Sequence, residues 1–575
     1  MKTLKITGLA IALLAGISAC QQADDFLEPK TSALDETLVF QDSLRTMAFV
    51  NRIYGDISFS FNKGRWSSHG NSEQATDDAE YKYSGVGQTA VILYSGTLSP
   101  LNFPFGEYWS LPYANIRRVN LLLTKLSSTP LSPALQRRVT AEVRFLRAYY
   151  YYNLLTVFGG VPLIGDKVFE INDFIDLPRN SYQECVDYVV SELDAAAQVL
   201  PSVAQYSEEN YGRATRGACL ALKSRMLLYA ASPLFNGSAE TQNATLASIV
   251  SYPTYQASHW QRAADAAEAV IASGQYSLME DNTTADGYGF YQVFLKRVNP
   301  EYIFFQNRPA NRDMEGFYNM PTRGGQNNSY PTHSLVQSFP MKNGKAITDP
   351  TSGYDPTKPY DNRDPRLGYS IVYNESLYFL PSANALRPVY TYEGAPSDGY
   401  TYSGQMTGYF ARKMCDVNVS ANSSFTTERG WPLLRYAEIL LNYAEAITEA
   451  GKPELAYPKL VALRKRAGIT PGADQLYGLK ANMTQAEMRE LIRNERRIEL
   501  AFEDHRWNDI RRWKIAMSVN NGFNTRIRIV RSGTNYTYEV TNSIRRHNFR
   551  TEMYLLPIPD GEIRKMPASL QNPGW

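Results

Sequence analysis

Residues 139–154 read VTAEVRFLRAYYYYNL, and Val139, Val143, Leu146, Tyr150 and Leu154 recur in this stretch every three or four positions. That spacing places all five on one face of an α-helix and does not suit a strand, whose faces alternate every second residue. Upstream, Glu107 to Leu126 predicts an antiparallel partner. Downstream, helices are expected over Ser181 to Leu200 and Thr215 to Ala231, ended by Pro201 and Pro233, which lack the donor a further turn needs. Trp260 to Ser273, Leu433 to Ala450 and Glu454 to Ala467 repeat the same length and pairing. Thr484 and Glu487 form a capping box before a helix whose Met488, Leu491, Ile492, Glu495, Ile498, Glu499 and Phe502 share one face. Two carboxylates on an otherwise apolar face require partners, and Arg496, Arg497, Arg511 and Arg512 are the nearest candidates in the chain. The expected fold is mainly α: a tetratricopeptide-like helix-hairpin scaffold with loop-rich regions and small β-hairpins.

Residues 275–432 differ in kind. They are rich in Gly, Asn, Pro, Tyr and Asp, without a sustained helical period, which predicts loops and hairpins. Strand fragments are expected near Tyr378 to Leu380, Val389 to Tyr392 and Gly408 to Arg412. Functional residues concentrate on loops of this sort.

The amino terminus reads as an address. Lys2 and Lys5 precede an apolar run from Ile6 to Ile17, and Ser18 and Ala19 lead to Cys20. The run covers only about 18 Å as a helix, against roughly 30 Å of bilayer hydrocarbon, so it reads as a cleaved signal with Cys20 as the lipidation site. The expected organisation is a lipoprotein signal peptide over residues 1–19, a lipidated tether over 20–35, an N-terminal helical region over 36–274 and a C-terminal region over 275–575, which carries the binding loops and closing helices.

Composition removes several classes of function. Lys and Arg number 59 against 57 Asp and Glu, a net charge of +2 with no long like-charge run, so no nucleic-acid footprint is present. Cys185, Cys219 and Cys415 have neither CxxC nor Cys/His ligand spacing and read as buried thiols. The five histidines never fall four residues apart, which excludes a two-histidine helical metal site; neither a metal nor a cofactor is expected. Neither a GxSxG elbow nor a GxxxxGK[ST] loop occurs, and the GxGxxA match at Gly85 to Ala90 follows no strand. Glu495, Glu499, Glu503 and His505 invite an acid–base or metal reading, but interleaved arginines favour buried ion pairs; Glu438 and Glu445 receive the same reading. The 40 tyrosines stand out, since such rings serve both cores and binding surfaces.

Several segments in order resemble the SusD/RagB family of Bacteroidetes surface lipoproteins. They are Asp25-Phe-Leu27; Arg144 to Asn153 leading into Phe158-Gly-Gly-Val-Pro-Leu163; Pro331-Thr332 with Leu335-Val336 and Met341-Lys-Asn-Gly344; and Asn362-Arg-Asp-Pro-Arg366. Arg435 to Ala446, Asn494 to Glu503 with Arg506-Trp507 and Arg511-Arg-Trp513, and the ending Leu556-Pro-Ile-Pro559 to Gln571-Asn-Pro-Gly574 complete the set. The resemblance implies a SusD-like helical scaffold without a catalytic centre, which binds glycan at the cell surface and serves a SusC-like TonB-dependent outer-membrane transporter as its lid. It also implies outer-membrane anchoring through Cys20 and surface exposure, with Gln21 and Asp24-Asp25 as export features. Some members of the family take peptides, so a peptide ligand stays open, as do a surface glycoside hydrolase and a pure scaffold.

Sugar binding asks for aromatic faces beside hydrogen-bonding side chains. Trp109, Trp260, Trp431, Trp507 and Trp513 fall in or beside helical or scaffold segments and read as structural. Trp66, in the polar loop from Asn62 to Asn71, is the first candidate for a stacking platform. Family position adds Asp77, Asp78, Tyr81 and Tyr83 from the early loop region, and Tyr318, Arg323, Asn327, Asn328 and Tyr330 from the loops before Pro331-Thr332.

Overall fold

The helix read from residues 139–154 runs over Pro133–Phe158. Ser132 caps it by accepting a hydrogen bond from the Leu135 amide at 3.3 Å, and Pro133 sits in the first turn, where a missing N–H costs nothing. Its tyrosines are core residues: Tyr149 donates to the Ile57 carbonyl at 2.8 Å, Tyr150 to the Ile53 carbonyl at 2.6 Å, and Tyr151 accepts from the Ile164 amide at 2.9 Å. Part of the tyrosine surplus is therefore spent inside the scaffold, where these three rings are buried and their hydroxyls satisfied.

The structure is a computed structural model that describes residues 36–57, 70–82, 88–170, 172–237, 240–399, 407–424 and 428–575. Cys20, Trp66 and Tyr83 lie outside the described residues. In chain order the principal helices are α1 (Ser43–Gly55), α2 (Glu107–Lys125), α3 (Pro133–Phe158), α4 (Tyr182–Ala197), α5 (Arg216–Ala231), α6 (Ser258–Ala272), α7 (Tyr436–Glu449), α8 (Tyr457–Arg466), α9 (Gln485–Glu499) and α10 (Arg506–Arg512). Each of α2 to α6 packs on the next, α6 packs on α7, and α7 packs on both α8 and α9. The stack thus continues across the 275–432 segment as if that segment were inserted into it. A single apolar core runs through helices from both sides of the insertion, as expected where each hairpin buries its face only against a neighbour.

The inserted segment builds a second core around Phe290, Phe317, Tyr318, Tyr330, Tyr378 and Phe410. Its strands are short and pair two by two, one of them with a strand from the early loop region: β1 (Ala79–Tyr81) with β3 (Ser329–Pro331), β2 (Tyr302–Arg308) with β8 (Arg429–Arg435), β4 (Ile371–Val372) with β7 (Phe410–Ala411), and β5 (Leu377–Leu380) with β6 (Ala385–Pro388). The strand expected at Val389 to Tyr392 is displaced to Ala385–Pro388. The tight loop from Pro381 to Asn384, with Asn384 at φ +44°, returns the chain into pairing at once. A long ribbon, β9 (Asn521–Ser532) and β10 (Asn535–Asn548), joins both parts; Gly533 at φ +59° opens its two-residue turn.

Buried charge fastens α9 to the inserted segment. Glu499 receives Arg366 at 2.9 Å, Arg435 at 2.8 Å and Arg466, while Glu495 receives Arg464 at 3.0 Å and Arg366 at 2.7 Å. The arginines nearest in sequence turn elsewhere: Arg496 to Asp509, Arg497 to Asp77 and Asp78, Arg511 to backbone carbonyls of Thr156 and Tyr554, and Arg512 to Glu445 and Asp509. The expectation of local partners for the α9 acids is corrected. Residues three or four apart on one helix share a face, so Glu495 and Glu499 turn together toward Arg366 of the inserted segment, Arg435 at the end of β8, and Arg464 and Arg466 of α8.

Candidate functional site

Pairing of β1 with β3 brings the two predicted loop regions together, with Ala79 opposite Pro331, Glu80 opposite Tyr330 and Tyr81 opposite Ser329. Thr332 locks the junction: its amide donates to the Asp78 carbonyl at 2.9 Å, and its hydroxyl donates to the Asp77 carbonyl at 2.6 Å while accepting from the Leu335 amide at 3.1 Å. A threonine at this position both caps the His333–Ser338 helix and holds the early loop to it.

The individual side chains do not face solvent as expected. Asp77, Asp78, Tyr81, Tyr318, Arg323, Asn327, Asn328 and Tyr330 are all buried, none more than 5% exposed. Asp77 is held by Arg506 through both oxygens, at 2.9 and 2.7 Å, and by Arg497 at 2.9 Å. Burial alone would raise its carboxyl, but these two guanidinium groups outweigh it and bring the pKa down to about 2. Asp78 pairs with Arg497 at 2.7 Å, yet burial prevails there and pushes its pKa up. Arg323 bridges to Asp398 at 2.8 Å, the Tyr318 hydroxyl accepts weakly from Asn71 at 3.5 Å, and Asn328 donates to the Gln326 side chain at 3.0 Å. Polar loops packed on one another bury their charges in pairs, so these side chains form the buried base of the junction and are not presented to solvent.

Asn327 is the exception within that base. Its backbone is left-handed at φ +43°, and neither side-chain amide atom has a hydrogen-bond partner among the described residues.

The accessible rim above this base comes from residues the sequence reading missed. Gln326 and Asn422 are exposed, and Thr322, Asn311 and Arg312 are half-buried. The Lys82 ammonium donates to the Gln326 carbonyl at 2.8 Å, Arg312 to the Ser424 carbonyl at 3.3 Å, and Thr322 to Asp398 at 2.7 Å. The 309–328 loop, the 396–399 turn and the 420–424 turn therefore meet at one polar edge. Gly324, at φ +77°, allows the close approach, since a Cβ there would lie 2.6 Å from the Asn422 side chain. The signal available in sequence was the Arg323-Gly-Gly-Gln326 turn, which marks a tight backbone crossing.

A family model described as the SusD family matches residues 280–575, just over half of the chain. The chain belongs to the SusD family. A second model, described as starch-binding associating with outer membrane, matches residues 25–228 of this SusD-family chain. Among curated relatives, SusD-like protein P2 of Formosa agariphila is 24% identical over 493 residues, covering 82% of this chain and 83% of the relative. A solved SusD-like protein of Bacteroides fragilis superposes with a TM-score of 0.76 at 26% identity, covering 94% of this chain and 98% of that one. A second B. fragilis structure, described as a SusD-like carbohydrate-binding protein, gives 0.73 at 23% identity, covering 92% and 99%. The helix-rich architecture with small sheets is that of the SusD-like structures.

The cysteines are the buried thiols expected, with burial pushing Cys185 up to about 12. Among the described residues no group of three or more His, Cys, Asp or Glu is arranged to hold a metal, and no helix is long and apolar enough to cross a membrane.

Proposed function

We propose that this SusD-family protein is a non-catalytic binder of oligosaccharide or polysaccharide at the cell surface, held at the outer membrane by lipid on Cys20, and that it delivers its ligand to a SusC-like TonB-dependent transporter. The observation that carries the binding role is the β1–β3 junction. It supports a rim of amide and hydroxyl groups, with the Arg312 guanidinium at its edge, over a base whose charges are already paired. Such a rim offers hydrogen bonds to sugar hydroxyls. Gly70, which follows segment 58–69, and Lys82, which precedes segment 83–87, lie at this junction, Gly70 against Gln74 and Lys82 against Asn328. Trp66, outside the described residues, is the stacking residue of this reading, and Tyr83 a further contact.

The acids speak against glycoside hydrolysis. That reaction needs two carboxyl groups about 5 to 9.5 Å apart across an open cleft, one of them protonated. Glu495, Glu499 and Glu503 are buried; despite that burial, the surrounding arginines hold all three below the ordinary carboxylate range. They are ionised structural groups.

A glycan array followed by calorimetry on the intact chain tests the binding role, with peptide competitors included. Saturable glycan binding supports the reading; binding of peptides alone would replace it. Co-purification from outer membranes tests the transporter, since a TonB-dependent barrel is the partner expected.

A further inference from the structure

On the helical side of the molecule, away from the residues of the β1–β3 junction, α2 and the 162–177 segment meet the C-terminal residues 562–566 around an open cleft of about 600 Å³. Its walls are Trp109, Tyr113, Ile164, Phe169, Leu177 and Met566. Native cores leave few voids larger than a water, whereas ligand sites run from roughly 300 to 1,000 Å³ with mostly aromatic and aliphatic walls. The Tyr113 hydroxyl donates to the Pro162 carbonyl at 2.9 Å, and its ring packs 5.1 Å from Trp109, so the cleft interior presents ring faces and methyl groups.

The mouth is different. Arg117 and Lys167 line it and are exposed. Arg117 donates Nε and Nη2 to the Phe169 carbonyl, both at 3.3 Å, and the Lys167 ammonium sits 4.2 Å from the centre of the Phe169 ring. Neither has a carboxylate partner among the described residues. The third cation of the cleft, Lys565, is held by Glu562 at 2.8 Å. Ile175 on the cleft wall and Phe174 next to it are exposed apolar side chains.

We infer that this cleft binds an amphipathic monocarboxylate, a free long-chain fatty acid in chemical class, with its chain against the Trp109, Tyr113 and Phe169 rings and its carboxylate between Arg117 and Lys167. The apolar walls supply the affinity and the two unpaired cations the orientation. Glu170, which also lines the mouth, opposes a head group of higher negative charge.

Calorimetric titration of the full chain with dodecanoate, kept below its micelle concentration, tests the site, with dodecanol and anionic phospholipid vesicles as comparison ligands. Ala114, an exposed residue of α2 on the cleft wall, provides a filling variant. One-to-one saturable binding of dodecanoate, abolished in Ala114→Trp with the melting temperature retained, is the expected result. In an Arg117→Gln, Lys167→Gln double variant, dodecanoate is expected to weaken about fivefold, in line with exposed ion pairs, while dodecanol is unchanged. The inference is overturned by absence of saturable binding to the unaltered chain, by full binding in a folded Ala114→Trp protein, or by association with vesicles alone. Should Ala114→Trp fail to fold, the double variant decides: equal weakening of dodecanoate and dodecanol, or none, overturns it.

Discussion

Arg435 grips Glu503 through both carboxylate oxygens, Nε at 2.6 Å from Oε2 and Nη2 at 2.7 Å from Oε1. The two residues are 68 positions apart and both are buried. The same guanidinium reaches Glu301 at 2.7 Å and Glu499 at 2.8 Å, so the end of β8 is tied at once to the insertion and to the end of α9. Removing one member leaves uncompensated buried charge, which costs about 3 to 5 kcal/mol. Arg435→Met is therefore expected to lower unfolding stability by that amount in urea titration, whereas an exposed pair such as Lys480 with Glu487 should change it by less than about 1 kcal/mol.

Acid should loosen the same joints. The folded-state pKa values of Asp77, Glu495, Glu499 and Glu503 lie below those of the free side chains, because arginine partners overcome burial. Each group thus contributes stability that is complete above its unfolded value of about 4 and lost as pH falls through the folded value. Asp78, pushed up by burial, acts in the opposite sense and partly offsets Asp77. Calorimetric melting temperatures are expected to hold between pH 7 and 5 and to fall steeply from pH 4 toward 2; a flat profile to pH 2 would contradict the ion-pair account.

Asn327 separates a structural base from a direct contact. A left-handed backbone and an unpartnered buried amide both favour glycine there, so Asn327→Gly is expected to keep or raise stability, by up to about 1 kcal/mol. Glycan affinity should not change. A loss of affinity in a protein that melts normally would return Asn327 to the binding surface.

The rim makes the complementary prediction. Gln326→Ala and Asn422→Ala remove exposed hydrogen-bonding groups and are expected to weaken glycan binding by about 1 kcal/mol each, with melting temperature unchanged. Unaltered affinity in both would move the site off this edge.

The helices were legible because their apolar period survives any change of partner: α2, α4, α5 and α6 lie within three residues of the expected limits. Leu433 begins one expected helix and instead lies within β8, since strand pairing with Tyr302–Arg308 claims residues up to Arg435. Partner choice was not legible. Glu499 finds Arg366 from 133 positions away, and nothing local in the sequence encodes that approach. The polar loops misled for a related reason, since composition counts Asp77, Arg323 and Tyr330 as solvent-seeking while their charges and hydroxyls are buried against other loops. The two loop regions named by family position meet in the β1–β3 ladder, a long-range pairing that no local pattern encodes.

Calorimetric titration of the intact chain with oligosaccharides chosen from a glycan array, alongside Trp66→Ala, tests the central claim most directly. The account predicts saturable binding of an intact sugar chain, weakened by about 1 to 3 kcal/mol in the variant, with no new reducing ends. Undiminished affinity in Trp66→Ala together with released reducing ends would contradict it.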